Sequence, residues 1–318
     1  MKLMKAIGHP VLAGIVLGLA VLPTPAHAAT FVPCSSADSS AALRAAINAA
    51  NAAPNGGDIA LAPGCTYTLA APDPGATLKG PSGLPPITGK VRITGANTTI
   101  RRSSTAATDF RILYVGRGAT LTLNQVTLSG GTASDPTPLG GGIYNDGTLN
   151  VLGGSIRHNT ALAGGGVASF GAASFTNTSF ADNTARNFGG GLFTQFATST
   201  SAVNTSFTRN TVPGTAGGGG AIALSFGGTA SFIHITVTGN TAPVGGGLLV
   251  AFLQPKVKLV GSRITDNTAT GGSVGGTPQT GGGIWAETPS AVTLTGTAVT
   301  RNRPDNCRPI GSVPGCPN

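Results

Sequence analysis

The chain is poor in the residues that most reactions need: ten acidic residues in 318, and Glu287 the single glutamate. Glycoside hydrolysis by paired carboxylates requires two acids ~5 to 9.5 Å apart, and after residue 140 the acids are Asp146, Asp182, Asp266, Glu287 and Asp305. Asp182 and Asp266 recur in one context, each directly before an Asn-Thr pair, but far apart in the chain. A β-eliminating lyase needs less, one base and one cation beside the substrate carboxylate. His158, Asp182 and Arg209 are the candidates for that chemistry, because each immediately precedes Asn159, Asn183 or Asn210 in equivalent positions. The plainer account of the three is a solvated ion cluster. A second set joins aromatic to polar side chains: Tyr144, Phe193 and Trp285 beside Asp146, Gln195 and Glu287. Exposed, such rings would stack sugars; packing beneath the long segments 211–221 and 268–283 accounts for them as simply.

Other chemistries fall away on residue type. No glycine cluster continues into Gly-Lys-Ser/Thr, so no phosphate loop is present, and the aspartates of calcium-binding nonapeptide repeats are missing. Only His158 and His234 lie beyond the first 30 residues, neither in a triad context. No metal and no cofactor is expected. The formal charge is +9, and without Lys2 and Lys5 the remaining 17 basic and 10 acidic residues leave +7. That balance favours acidic partners such as uronate polysaccharides or anionic cell-surface polymers. The scattered arginines and 5% aromatic content give no nucleic-acid footprint.

The elements that must position these residues come from a repeat. Six units open on an aliphatic residue after glycines, or Gly-Gly-Ala in one case: Ile143, Val167, Leu192, Ile222, Leu248 and Ile284. They close on Asn159, Asn183, Asn210, Asn240, Asn267 and Asn302. Opener to Asn takes 16, 16, 18, 18, 19 and 18 residues, while Asn to the next opener takes 8, 9, 12, 8 and 17. Length variation is therefore concentrated in one loop. Three residues before each Asn lies Ile156, Phe180, Phe207, Val237, Ile264 or Val299; mostly apolar columns also stand eight and ten before it. Positions eight and ten are two apart, the strand period, so both face inward around an outward polar residue. A unit this short cannot bury such a face alone. Stacked units share one core, which predicts an all-β, right-handed parallel β-helix solenoid with rungs about 4.8 Å apart. The Asn column becomes an internal amide ladder.

The ends are distinct. Lys2 and Lys5, the apolar run Val11 to Leu22 and the small-residue site Ala26-His27-Ala28 read as a signal peptide cleaved after Ala28, hence an exported monomer with no membrane span. Residues 29–110 are expected to form an N-terminal cap and irregular first coils, with Ala41 to Ala52 as a short helix over the open end. Residues 111–303 are expected to form the regular coils and 304–318 a second cap. A rod keeps its ends apart, so among three possible pairings Cys34 with Cys65 and Cys307 with Cys316 is expected.

Residues 140–303 resemble the polymorphic outer membrane protein repeat, through Gly165-Gly166-Val167, Phe180-Ala181-Asp182-Asn183 and Phe207-Thr208-Arg209-Asn210. The whole chain looks like the secreted β-helix repeat proteins of actinobacteria. The likeness lies in Ala41–Asn51, Ala62-Pro63-Gly64-Cys65 and Pro304-Asp305-Asn306-Cys307. The resemblance implies a pectin-lyase-like fold and, for the repeat family, adhesin passenger domains. The functional expectation is a noncatalytic surface for a polysaccharide or cell-surface partner. The alternative is a lyase acting on acidic polysaccharide. A water-ordering Thr array is a third idea, from Thr208, Thr238, Thr265 and Thr300, interrupted nearby by Arg157, Arg263 and Ala298.

Overall fold

Leu149-Asn150-Val151 and Val257-Lys258-Leu259 alternate apolar and polar residues, the pattern of an extended segment with one buried face. The computed structural model describes residues 28–34, 39–76, 78–133, 138–196, 199–274 and 277–317. It is a parallel β-solenoid of about eight turns with one short N-terminal helix. The expected signal peptide, residues 1–28, falls almost wholly outside the described residues. No helix among the described residues is long and apolar enough to cross a membrane.

Strand pairing reproduces the sequence columns one for one. Leu149, Ala173, Thr200, Ala230, Val257 and Val292 are successive parallel partners. So are Ile156, Phe180, Phe207, Val237, Ile264 and Val299. Both columns lie in one broad sheet. The openers build a second sheet in strict chain order, from Leu113–Val115 through Ile143–Asn145 to Ile284–Ala286 and finally Cys307–Arg308. The inward side chains fill a single core in which Phe175, Phe180, Phe207 and Phe232 are fully buried. Phe180 and Phe207 stack with centroids 4.6 Å apart.

Corners are made by single residues in the left-handed conformation. Gly153, Asn177, Asn204, His234, Gly261 and Gly296 make the first, with φ between 50° and 73°. His158, Asp182, Arg209, Gly239, Asp266 and Arg301 make the second, between 52° and 65°. Gly and Asn adopt this region most cheaply. The glycine triplets serve close approach. A Cβ on Gly165 would lie 2.4 Å from the Thr184 carbonyl and 2.5 Å from that of Gly190, so only glycine lets these stacked turns meet.

After each second corner the Asn turns inward. Each Nδ2 donates to the Oδ1 of the next Asn at 2.9 to 3.0 Å, from Asn159 through Asn183, Asn210, Asn240 and Asn267 to Asn302. The same Oδ1 accepts the backbone N–H of the preceding ladder residue at 2.8 to 3.1 Å. Asn306 accepts the last bonds and so terminates the ladder inside the C-terminal cap.

The helix runs Ser39–Ala52 and buries Leu43, Ala46, Ile47 and Ala50 over the first strands. Its Asn51 accepts from Thr88 and Gly89 and donates to the Pro86 carbonyl, tying the helix to the first coils. Disulfides Cys34–Cys65 and Cys307–Cys316 join the expected pairs. The expected change of regularity at residue 110 is not a break in pairing. Strand Lys90–Arg102 pairs with Gly57–Leu61 and Thr66–Leu69 on one side and with Thr120–Ser129 on the other. These first coils keep the inward aliphatics Ile59, Ile93 and Leu123 and left-handed corners at Asn97 and Gln125, without the Asn and glycine signature that marks later coils.

Candidate binding faces

The second corner gathers the charged candidates. Its left-handed backbone turns the side chains toward solvent: His158 and Arg209 are exposed and Asp182 is half-buried. Asp182 is clamped by Arg209 in a bidentate pair, Nε to Oδ1 at 2.7 Å and Nη2 to Oδ2 at 2.9 Å. Asp266 and Arg301 repeat this arrangement at 3.0 and 2.7 Å. Hydrogen bonding from Arg209, outweighing burial, holds the Asp182 carboxyl below its usual range; Arg301 does the same for Asp266. A lyase base must accept a proton. A carboxylate whose two oxygens are occupied by a guanidinium is a weakened one, so the geometry is that of an ion ladder. Among the described residues no group of three or more His, Cys, Asp or Glu is placed to hold a metal ion.

The aromatic candidates point away from the central core, as their alternation requires, but they are covered. Tyr144, Phe193 and Trp285 retain 4%, 5% and 4% of their surface; Phe193 and Trp285 belong to a second hydrophobic cluster with Ala163, Val244 and Leu249, and Tyr144 packs against the rings of Tyr114 and Phe170. Ala163, Phe188 and Val244, each from a segment that precedes an opener, pack in that cluster. Arg111, itself fully buried, places its guanidinium 5.4 Å from the Tyr144 ring centroid. It donates to the carbonyls of Leu139, Lys79 and Gly80. Burial lowers the Arg111 pKa to about 10, so it remains a cation at neutral pH. The polar members are engaged nearby: Asp146 accepts from the Tyr114 hydroxyl at 3.2 Å, and Glu287 accepts the backbone N–H of Phe252. Gln195 is half-buried at the end of its strand. Stacking on the faces of Tyr144, Phe193 and Trp285 is therefore closed off by packing, the simpler of the two accounts of these rings.

A different aromatic row is open. Phe170, Phe196, Phe226 and Phe252 each follow the end of a second-sheet strand, at the corner leading into the broad sheet. Successive ring centroids are 6.3, 5.7 and 5.3 Å apart. Phe196 is 55% and Phe226 38% exposed. Phe196, Phe226 and Phe252 hold φ near +60°, as does Leu253, which is 73% exposed. Bulky residues in this region cost about 1 to 3 kcal/mol each. The row ends at a shallow hollow lined by Leu253, Gln254, Glu287 and Thr288.

The row borders the outward face of the broad sheet, which is mostly hydroxyl-bearing in its middle coils: Ser174, Ser201 and Ser231 lie side by side across successive strands. Thr208, Thr238, Thr265 and Thr300 also align. Thr265 is buried and its hydroxyl donates to Asp266, so this row is not a uniform exposed array.

Fold and surface together define a parallel β-solenoid with a hydroxyl-lined face bordered by a row of exposed phenylalanines. No protein-family model, curated protein or solved structure matches the chain.

Proposed function

We propose that this protein is a noncatalytic solenoid whose outer surface holds a linear polysaccharide or a comparable cell-surface polymer. The observation that carries the reading is the row Phe170, Phe196, Phe226 and Phe252: four rings in succession along the rod, the last three in register and Phe196 and Phe226 well exposed. An extended ligand lying along the rod would meet one ring per coil, with hydroxyls of the adjoining face for its polar edges. Three of the rings are kept in a backbone conformation that disfavours them. Local strain of this kind, persisting on a surface, is a pointer to function. The resemblance of the repeat to adhesin passengers, and of the chain to exported actinobacterial β-helix proteins, is in keeping with a display role outside the cell.

The test is co-sedimentation of the purified chain with a panel of neutral and acidic polysaccharides, comparing wild type with Phe196→Ser/Phe226→Ser, while absorbance of unsaturated ends is followed. Binding without product, weakened about tenfold or more in the double variant, is expected. Unsaturated product lost in Asp182→Ala would replace this reading with the lyase alternative. Binding that is indifferent to the two phenylalanines would remove its basis.

A further inference from the structure

Several arginines are matched with an acid: Arg92 with Asp58, Arg102 with Asp109, Arg209 with Asp182, Arg301 with Asp266 and Arg308 with Asp305. One coil gathers three cations on its broad-sheet strands with no such match among the described residues. Lys256 and Lys258 are both exposed on strand Lys256–Val260, whose alternation sends Val257 and Leu259 into the core. Their Cα atoms are about 6.6 Å apart at the usual strand rise. Arg263 is exposed on the next strand of the same coil, just past the corner at Gly261. None of the three forms an ion pair among the described residues. The outward positions of the broad-sheet strands from Thr148 to Thr300 hold no Asp or Glu at all.

The neighbouring coils show what the fold itself would accept. Lys256 pairs with Thr229, Lys258 lies between Ser231 and Thr293, and Arg263 lies between Thr236 and Ala298. Small hydroxyl residues or alanine thus suffice at these positions. Lysines also guard sheet edges against unwanted pairing, but strand Lys256–Val260 is paired on both sides and has no edge to guard. Like charges side by side on one face repel. Their cost is recovered when an anion lies across them. The position fits a polymer as well: Lys256 is four residues beyond Phe252, where the phenylalanine row ends.

We propose that Lys256, Lys258 and Arg263 form a binding site for a polyanionic polysaccharide, meeting its carboxylate or sulfate groups where the polymer, having followed the phenylalanine row along the rod, crosses the coil at which that row ends. The site rests on the polymer-binding reading above and adds the charge of the ligand and the coil that recognises it.

The experiment is calorimetric titration of the purified chain with polygalacturonate, dextran sulfate and neutral laminarin, with anionic phospholipid vesicles as a further arm. The variant Lys256→Thr/Lys258→Ser/Arg263→Thr copies residue types already present in adjoining coils. The variant Arg117→Thr/Arg157→Thr/Arg186→Thr removes the same charge elsewhere, and thermal melts establish that both fold. The expected result is binding of at least one anionic polymer that weakens with salt. It should fall about tenfold or more in the Lys256 variant and no more than about twofold in the charge-matched one. The two polyanions distinguish carboxylate from sulfate recognition. Equal weakening in both variants overturns the site in favour of net charge. Equal binding of laminarin, unaffected by the Lys256 variant, overturns the site and leaves the polymer-binding surface standing. Binding to vesicles alone assigns the cations to a membrane surface and overturns the proposal. Binding to nothing in the panel overturns both readings.

Discussion

Replacing Asn210 by alanine isolates what the amide ladder contributes. The Asn210 Oδ1 accepts two buried donors, the Asn183 backbone N–H at 3.1 Å and the Asn183 Nδ2 at 2.9 Å. Its Nδ2 supplies the Phe180 carbonyl at 3.0 Å and the Asn240 Oδ1 at 3.0 Å. Truncation strands the Asn183 backbone N–H and one of the two N–H groups of its Nδ2, the other still reaching the Ile156 carbonyl at 2.8 Å, whereas Asn240 Oδ1 keeps the Asn210 backbone N–H at 2.8 Å. A buried polar group left unsatisfied costs about 1 to 3 kcal/mol. The two donors alone set a loss of about 2 to 6 kcal/mol. The neighbouring change Arg209→Ala removes only an exposed ion pair, and the median contribution of such pairs is close to nothing. Adjacent residues should therefore behave oppositely: in urea unfolding followed by circular dichroism at pH 7, Asn210→Ala lowers the midpoint strongly and Arg209→Ala barely moves it. The comparison is made at matched denaturant slopes, because stacked repeats unfold as one unit only while neighbouring coils stay coupled. An Asn210→Ala loss under about 1 kcal/mol would refute the ladder argument, since it would mean that water or backbone rearrangement serves the Asn183 donors equally well.

Two further perturbations probe the charges. Arg111→Ala deprives the carbonyls of Lys79, Gly80 and Leu139 of their donor and empties the space beside Tyr144, for an expected loss of about 3 kcal/mol or more; a melting temperature equal to wild type would contradict it. Asp182 and Asp266 have folded-state pKa values below their unfolded ones, so whatever stability their arginine pairs give is present above about pH 4 and disappears as pH falls through the lowered values. A stability difference between wild type and Arg209→Ala/Arg301→Ala that shrinks on acidification and in high salt is the expected pattern; one that grows below pH 4 has the wrong sign.

How far the sequence reaches follows from which positions keep a fixed distance to the closing Asn. The three apolar columns and the Asn column stand at constant offsets, and their partners in the sheets are those the offsets demand, from Leu149 to Val292 and from Ile156 to Val299. The left-handed corners were legible too, because Gly, Asn and Asp recur there; the alternation that would have buried His158, Asp182 and Arg209 gives way to the corner that exposes them. Whether Tyr144, Phe193 and Trp285 were open or covered depended on segments of variable length before each opener, which no column registers. The packing of Ala163, Phe188 and Val244 decides it for Phe193 and Trp285, and that of Tyr114, Phe170 and Arg111 for Tyr144.

The phenylalanine row escaped for a related reason with a different lesson. Phe170 stands three residues after its opener and Phe196, Phe226 and Phe252 four after theirs. Their spacing to the closing Asn drifts with the following turn, so alignment on that Asn scatters them. Their conformation hides them further, since a bulky ring is the last residue expected at a positive φ. Yet the fold gains little core from the exposed Phe196 and Phe226 rings. Other non-glycine residues also hold positive φ, such as His158 and Arg209, but in three successive coils the residue is a phenylalanine, at neighbouring points on one side of the rod. Agreement across levels is what a stable fold requires, and repeated disagreement, with little packing return at Phe196 and Phe226, is where function is to be sought. For this chain that criterion selects the corner beside Phe196, Phe226 and Phe252 ahead of the better-hidden rings of Tyr144, Phe193 and Trp285.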